Sequence, residues 1–240
     1  MNGLGNPKQI SYFNDLDVDL AIIPELKQKN IEQLKPNDAV WITNNHTNKV
    51  PKGLGVLTFG DLTLTELDRD IDMELYLPLK VSGKNIDFNL LAVWNFYHAC
   101  KQGRFKDAMG EDALEWAAIN RHTEQLEEPC LVGGDWNFGP TFSQPAFLRM
   151  CEMYAEKGYR SLYHEFFDLD CSASEHPTYR SPTKHYHHLD HFFGTQELVD
   201  RMINLEIPDV DEAILSDHAP VVLTINLGKT VKMFQSSPTC

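Results

Sequence analysis

Short apolar runs of about three to seven residues, broken by polar clusters, set the rhythm of this chain. Residues 19–24, 39–43, 88–94 and 130–134 read as strands, and so do 189–193 and 219–225. Residues 53–59 and 73–79 alternate apolar and polar positions, the pattern of strands with one face in water. Helical spacing predicts a short helix over 7–16 opening at Pro7, a turn of helix at 31–34, a helix over 107–126 and another over 144–157. A further short strand is expected near 202–207. The polar, His-rich stretch 170–187 reads as a surface loop and 228–240 as a loose tail, which leaves 1–227 as a single domain. Eight to ten strands with three or four helices and mostly hairpin connections predict an α/β architecture: sheets packed face to face, with helices outside.

Four polar clusters interrupt the strand ends, and burying such groups is costly unless they pair or bind something. Glu25 closes the first run, and Gly133-Gly134-Asp135-Trp136-Asn137 closes another. Asp190 opens Asp-His-Phe-Phe, and Ser216-Asp217-His218 precedes the last run. Each alone has a plain structural explanation: a solvated sheet edge for Glu25, an Asx turn for Asp135, a satisfied core histidine for His218. Together they supply carboxylates, an amide and an imidazole, the groups of a metal-assisted phosphoryl site. Asp135 can bind metal or take a proton from water, while Asn137 can hold a phosphate oxygen or orient Asp135. An Asp190 carboxylate on the His218 ring would fix its tautomer and favour its protonated form.

Composition narrows the reading. The 240 residues carry a formal net charge of −14, with 21 Lys and Arg together, so a broad basic face for duplex binding is not expected. A divalent cation can still supply positive charge where a phosphate sits. Five scattered Cys without a CxxC suit reduced thiols and a cytoplasmic location, and nothing reads as a signal peptide or a membrane span. Five of the ten His fall within 176–191, yet no helical HxxxH or spaced Cys accompanies them, so structural zinc is disfavoured. A substrate-facing loop is the better reading, with Arg180, Lys184 and His188 turned to an anionic ligand. Trp94 is a candidate platform for a base or sugar.

In order and spacing the clusters resemble the endonuclease/exonuclease/phosphatase superfamily. Pro24-Glu25 stands for its Gln-Glu and Gly134-Asp135-Trp136-Asn137 for its Gly-Asp-x-Asn. Leu189-Asp190-His191-Phe192 stands for its Ile-Asp-Tyr-x-Phe, and Ser216-Asp217-His218 for its Ser-Asp-His. The resemblance implies a four-layer α/β sandwich and a Mg²⁺- or Mn²⁺-dependent phosphodiesterase acting on DNA or RNA. It keeps a small phosphorylated metabolite as the alternative substrate and a silent binding protein as the alternative role. It also implies that Glu25, helped by Asp217, holds the metal, that Asp135 activates water with Asn137 beside it, and that His218 on Asp190 stabilises developing charge. Which of Asp135 and His218 is the base stays open. Two departures stand out. The family's opening strand ends Asn-x-Asp/Asn-Gly, and only its tail is present, with Asn2 at the second polar position; either the chain begins further upstream or a central strand is missing. Where other members place a catalytic Tyr or His, this chain offers Trp94 or Asn95.

Overall fold

A computed structural model describes residues 4, 6–43, 52–69, 75–83, 86–95, 119–122, 126, 129–210 and 216–236. Helix α1 (Pro7–Asp15) opens as its sequence predicts. Proline sits in the first turn, and Asn6 and Gln9 form a capping box, Asn6 accepting from the Gln9 amide and Gln9 accepting from that of Asn6. There follow β1 (Leu20–Lys27), α2 (Gln28–Leu34), β2 (Asp38–Thr43), β3 (Lys52–Thr58), β4 (Thr63–Glu66), β5 (Tyr76–Gly83) and β6 (Ile86–Trp94). The second half holds β7 (Cys130–Asp135), α3 (Gln144–Glu156), β8 (Tyr159–Ser161), α4 (Leu162–Phe167), β9 (Tyr179–Arg180) and β10 (Tyr186–His187). It closes with β11 (Asp190–Thr195), α5 (Gln196–Asp200), β12 (Met202–Glu206), β13 (Val221–Asn226) and β14 (Thr230–Gln235).

Two six-stranded mixed sheets result. One runs β12-β13-β14-β1-β3-β2 and the other β4-β5-β6-β7-β11-β8, while β9 and β10 form a separate ribbon. An apolar core lies between the sheets, built from residues such as Leu20, Val56, Leu90, Leu131, Phe192 and Leu223. Outside the first sheet, Phe13 of α1 and Leu34 of α2 pack on Ala21, Ile23 and Phe234. Outside the second, Phe147, Met150 and Tyr154 of α3 pack on Val132, Trp136 and Phe193. The order of layers is therefore helix, sheet, sheet, helix, as expected for a four-layer α/β sandwich. Full burial of each such side chain stabilises by about 1.5–3 kcal/mol, so the three clusters dominate the folding energy.

Some expectations need correction. β3 and β5 are not half-exposed: six of the seven β3 positions are buried, because the strand lies between its sheet's helices and the inter-sheet core. The polar-looking positions are partly glycines, and a Cβ at Gly55 would press into the Leu26 side chain. The 170–187 loop carries the β9–β10 ribbon, paired Tyr186 to Arg180 and His187 to Tyr179. The helix expected over 107–126 lies outside the described residues except at 119–122, which are helical, and 126, which is not. The largest change concerns 228–240. Residues 230–235 are not a loose tail but strand β14, central in its sheet, antiparallel to β13 and parallel to β1. Val231, Met233 and Phe234 are fully buried there. No described helix is long and apolar enough to cross a membrane.

Candidate phosphodiesterase site

The strand-end clusters gather because the two sheets place the ends of β1, β7, β11 and β13 at one end of the sandwich. β7 ends on Asp135, directly opposite Asp190 at the start of antiparallel β11. Tight backbone approach is needed there, since a Cβ at Gly134 would overlap the Val93 carbonyl of β6 and one at Gly133 would overlap the Phe192 ring. Asn137 turns back in the left-handed region at φ 56°, a conformation Asn tolerates better than most residues. Its backbone N–H donates to Asp135 Oδ1 at 3.0 Å and its Nδ2 to Asp135 Oδ2 at 3.2 Å. Nδ2 also donates to the Asn95 carbonyl at 2.9 Å, which fixes the amide's orientation. Both oxygens of Asp135 are thereby held in one plane.

From the other sheet comes His218, whose Nδ1 lies 2.8 Å from Asp190 Oδ2. The imidazole is buried, and burial alone would push its pKa down. The Asp190 charge and hydrogen bond, helped by Asp135 and Asp217, outweigh that and raise it to about 9. The ring is therefore an imidazolium at neutral pH, and with Nδ1 on Asp190 it keeps Nε2–H as the second donor of a residue that lines the cleft. Thr178, buried just ahead of β9, holds this arrangement together. Its Oγ1 accepts from the amides of Leu189 and Asp190, and its carbonyl accepts from Ala219 N–H at 2.7 Å. Ser216 Oγ accepts from the His218 amide at 2.8 Å.

This coupling makes stability pH-dependent. Because the folded-state pKa of His218 lies above its ordinary 6.5, the stabilisation is complete below about pH 6.5 and is lost as pH rises through about 9. Metal-free protein should lose on the order of 3 kcal/mol across that window, measured by urea unfolding. Asp190→Asn should flatten that slope. An unchanged slope in the variant would show that another group titrates.

Glu25 lies in a bulge of β1, where the register with β3 shifts between Ile23 and Leu26 and φ reaches 57°. Its Oε2 pairs with Lys52 Nζ at 2.5 Å. Burial holds the Asp217 carboxyl above its ordinary value; the Glu25 charge adds to this and His218 opposes it. Asp217 Oδ1 is buried without a hydrogen-bond partner among the described residues. Two repelling carboxylates with an unsatisfied oxygen fit a hard divalent cation, as does their all-oxygen character. Asp135, Asp190 and His218 form a second compact donor group, their ligand atoms within 4.8 Å of one another and all three residues buried.

Glu25, Trp94, Asp135, Asn137, Asp217 and His218 all line one cleft of about 430 Å³. Tyr179, its ring 4.8 Å from that of His218, and Phe142, which packs against His187, line the cleft too. Asn95 is buried beneath the cleft, giving its carbonyl to Asn137 and its amide to Asp135 O at 2.8 Å. Arg180 and Lys184 belong to the β9–β10 ribbon and its turn, beside the cleft residues Ser181, Thr183 and His185. His188 does not reach the cleft: it is buried on Tyr163 and His191, with Nδ1 2.8 Å from the His176 carbonyl. The histidines that do line it are His185, His187 and His218. Trp136 is core, stacked on Phe193 and tilted against Tyr154. Asn2 lies outside the described residues. Lys52, Thr178 and Phe142 were not anticipated; only Lys52, following Pro51 at a strand start, carried a sequence hint.

No family model and no curated protein matches this sequence. Solved structures do match in fold. The endonuclease domain of TRAS1, a telomere-specific non-LTR retrotransposon, superposes with a TM-score of 0.64 over 92% of this chain and 91% of its own, at 14% identity. This chain has the endonuclease/exonuclease/phosphatase fold. An AP endonuclease from Archaeoglobus fulgidus gives a TM-score of 0.61 at 13% identity over 90% of this chain and 92% of that one. A 3′ phosphatase, NExo, from Neisseria, bound to a product DNA hairpin, gives 0.59 at 13% identity over 94% and 96%.

Proposed function

We propose that this chain is a divalent-metal-dependent phosphodiesterase acting on DNA or RNA. The observation that carries the reading is the union, in one cleft, of an Asn-braced Asp135 with an Asp190-held His218 imidazolium. Asp135, with both oxygens fixed, is the better base, because a histidine already protonated at neutral pH cannot accept a further proton. Water bonds to phosphorus while the P–O bond to the leaving alcohol breaks. The water's proton passes to Asp135, and the leaving oxygen takes one from solvent. His218 Nε2–H donates to a non-bridging phosphoryl oxygen, where negative charge accumulates. Glu25 and Asp217 would hold Mg²⁺ or Mn²⁺, whose charge would polarise the phosphoryl group. Trp94 and Tyr179 give the substrate's sugar or base an aromatic wall.

The structural neighbours, an endonuclease domain and a DNA-bound 3′ phosphatase among them, support nucleic acid as the substrate class. One observation favours the alternative of a small phosphorylated metabolite: the net charge of −14, which works against long polyanions. The free thiols of Cys130, Cys151 and Cys171 suit a cytoplasmic enzyme. Oligonucleotides that are single-stranded, duplex or abasic should be cut with Mg²⁺ or Mn²⁺, and EDTA should reduce cutting to background. Phosphate release from small esters with intact oligonucleotides would move the assignment to the alternative. Inertness towards both would leave a binding protein.

A further inference from the structure

Strand β14 begins as an ordinary inter-sheet strand. Val231 and Met233 face the core between the sheets, while Phe234 faces the helices. Strand alternation then sends Gln235 the way of Val231 and Met233, into the interior. An apolar residue would fill that position at less cost, yet an amide stands there, fully buried. Its Nε2 donates across the sheets to the Gly134 carbonyl, one residue before Asp135, and lies 3.5 Å from Asp190 Oδ1. Both neighbours are acceptors, so the amide cannot be reversed without setting oxygen against oxygen. Asp190 now has a partner on each oxygen: His218 on Oδ2 and Gln235 on Oδ1.

We propose that Gln235, delivered by the C-terminal strand, is a positioning residue of the phosphodiesterase site, locking the Asp190 carboxylate plane and the end of β7. The inference rests on the function proposed above. It gives the last strand a task beyond filling the sheet. The segment that reads as a tail occupies a central place in its sheet and brings a polar side chain to the proposed catalytic carboxylates. Gln235 Oε1 is buried without a partner among the described residues, so the amide's bonds there are those made by Nε2.

The test uses the full chain with Gln235→Met, which keeps the volume and removes the amide, and Gln235→Glu, which keeps the shape and sets a carboxylate against Asp190. Cleavage kinetics are read beside thermal unfolding and the NMR signal of the His218 Nδ1 proton. Gln235→Met should lose about tenfold or more in kcat with KM within about twofold and an unchanged unfolding midpoint. Gln235→Glu should lose more, and the His218 signal should move in both variants. A kcat within about twofold of wild type in a folded Gln235→Met protein would overturn the proposal. So would a loss that merely follows the folded fraction, or an unmoved His218 signal. If the wild type cleaves no phosphodiester with metal, the proposed function fails and the positioning role in catalysis falls with it. The His218 signal then still decides, separately, whether the clamp on Asp190 exists.

Discussion

Asp135→Asn is expected to lower kcat by at least about a hundredfold while leaving substrate affinity and stability close to wild type. The carboxylate accepts one bond on each oxygen from Asn137, so an amide of the same shape keeps the turn but has only one oxygen left to accept. The variant cannot take a proton from water, and a general base contributes about 10²–10⁴-fold. The Asn137 backbone N–H can still find that remaining oxygen, which limits the structural cost to about 1 kcal/mol. Steady-state cleavage at saturating metal, compared with Asn137→Ala, separates the two roles. Asn137→Ala keeps the base and loses its orientation, so it should fall less. Near-normal turnover in Asp135→Asn would remove Asp135 from the chemistry and return His218 as the candidate base.

The elements around this site were legible to different degrees. β1, β6, β7 and β11 announce themselves because they are buried on both faces, and a strand of that kind is a run of apolar residues whichever neighbour it meets. The polar residues ending those runs were legible for the complementary reason: an Asp or His amid such runs calls for a partner. The pairing of Asp190 with His218 followed from residue type alone. What pairs with Glu25 did not, because Lys52 reaches it only through the register of β3 against the β1 bulge, and registers are set by packing. β14 was hidden by Lys232 and Gln235. Lys232 keeps its ammonium on the Leu16 carbonyl, and Gln235 has its partners on another sheet, so each looks like surface until the fold is assembled. His188 misled in the opposite direction. It belongs to a polar stretch by composition, yet its ring stacks on His191 in the interior and burial pushes its pKa down to about 4. A neutral buried imidazole of that kind is a packing element.

His218 and Asp190 should act as one unit. His218→Ala removes the imidazolium proposed to donate to the phosphoryl oxygens, and loss of such a donor costs about 10²–10³ in kcat. It also leaves Asp190, fully buried, without its charged partner, so the unfolding free energy should drop by about 3–5 kcal/mol. Asp190→Asn alone should reach a similar kinetic deficit by another route: the ring loses the charge that holds it protonated and turned towards the cleft. The double variant should then be little slower than either single one, because the second substitution removes a group that has already lost its function. Its stability should exceed that of His218→Ala, since no unpaired carboxylate remains buried. Kinetics and urea unfolding of the three variants decide the matter. Multiplicative losses in kcat would mean that Asp190 serves the reaction independently of His218, for instance as a cation ligand in the compact group it forms with Asp135. In that event the losses in Asp190→Asn should be partly recovered at high Mn²⁺, whereas those in His218→Ala should not.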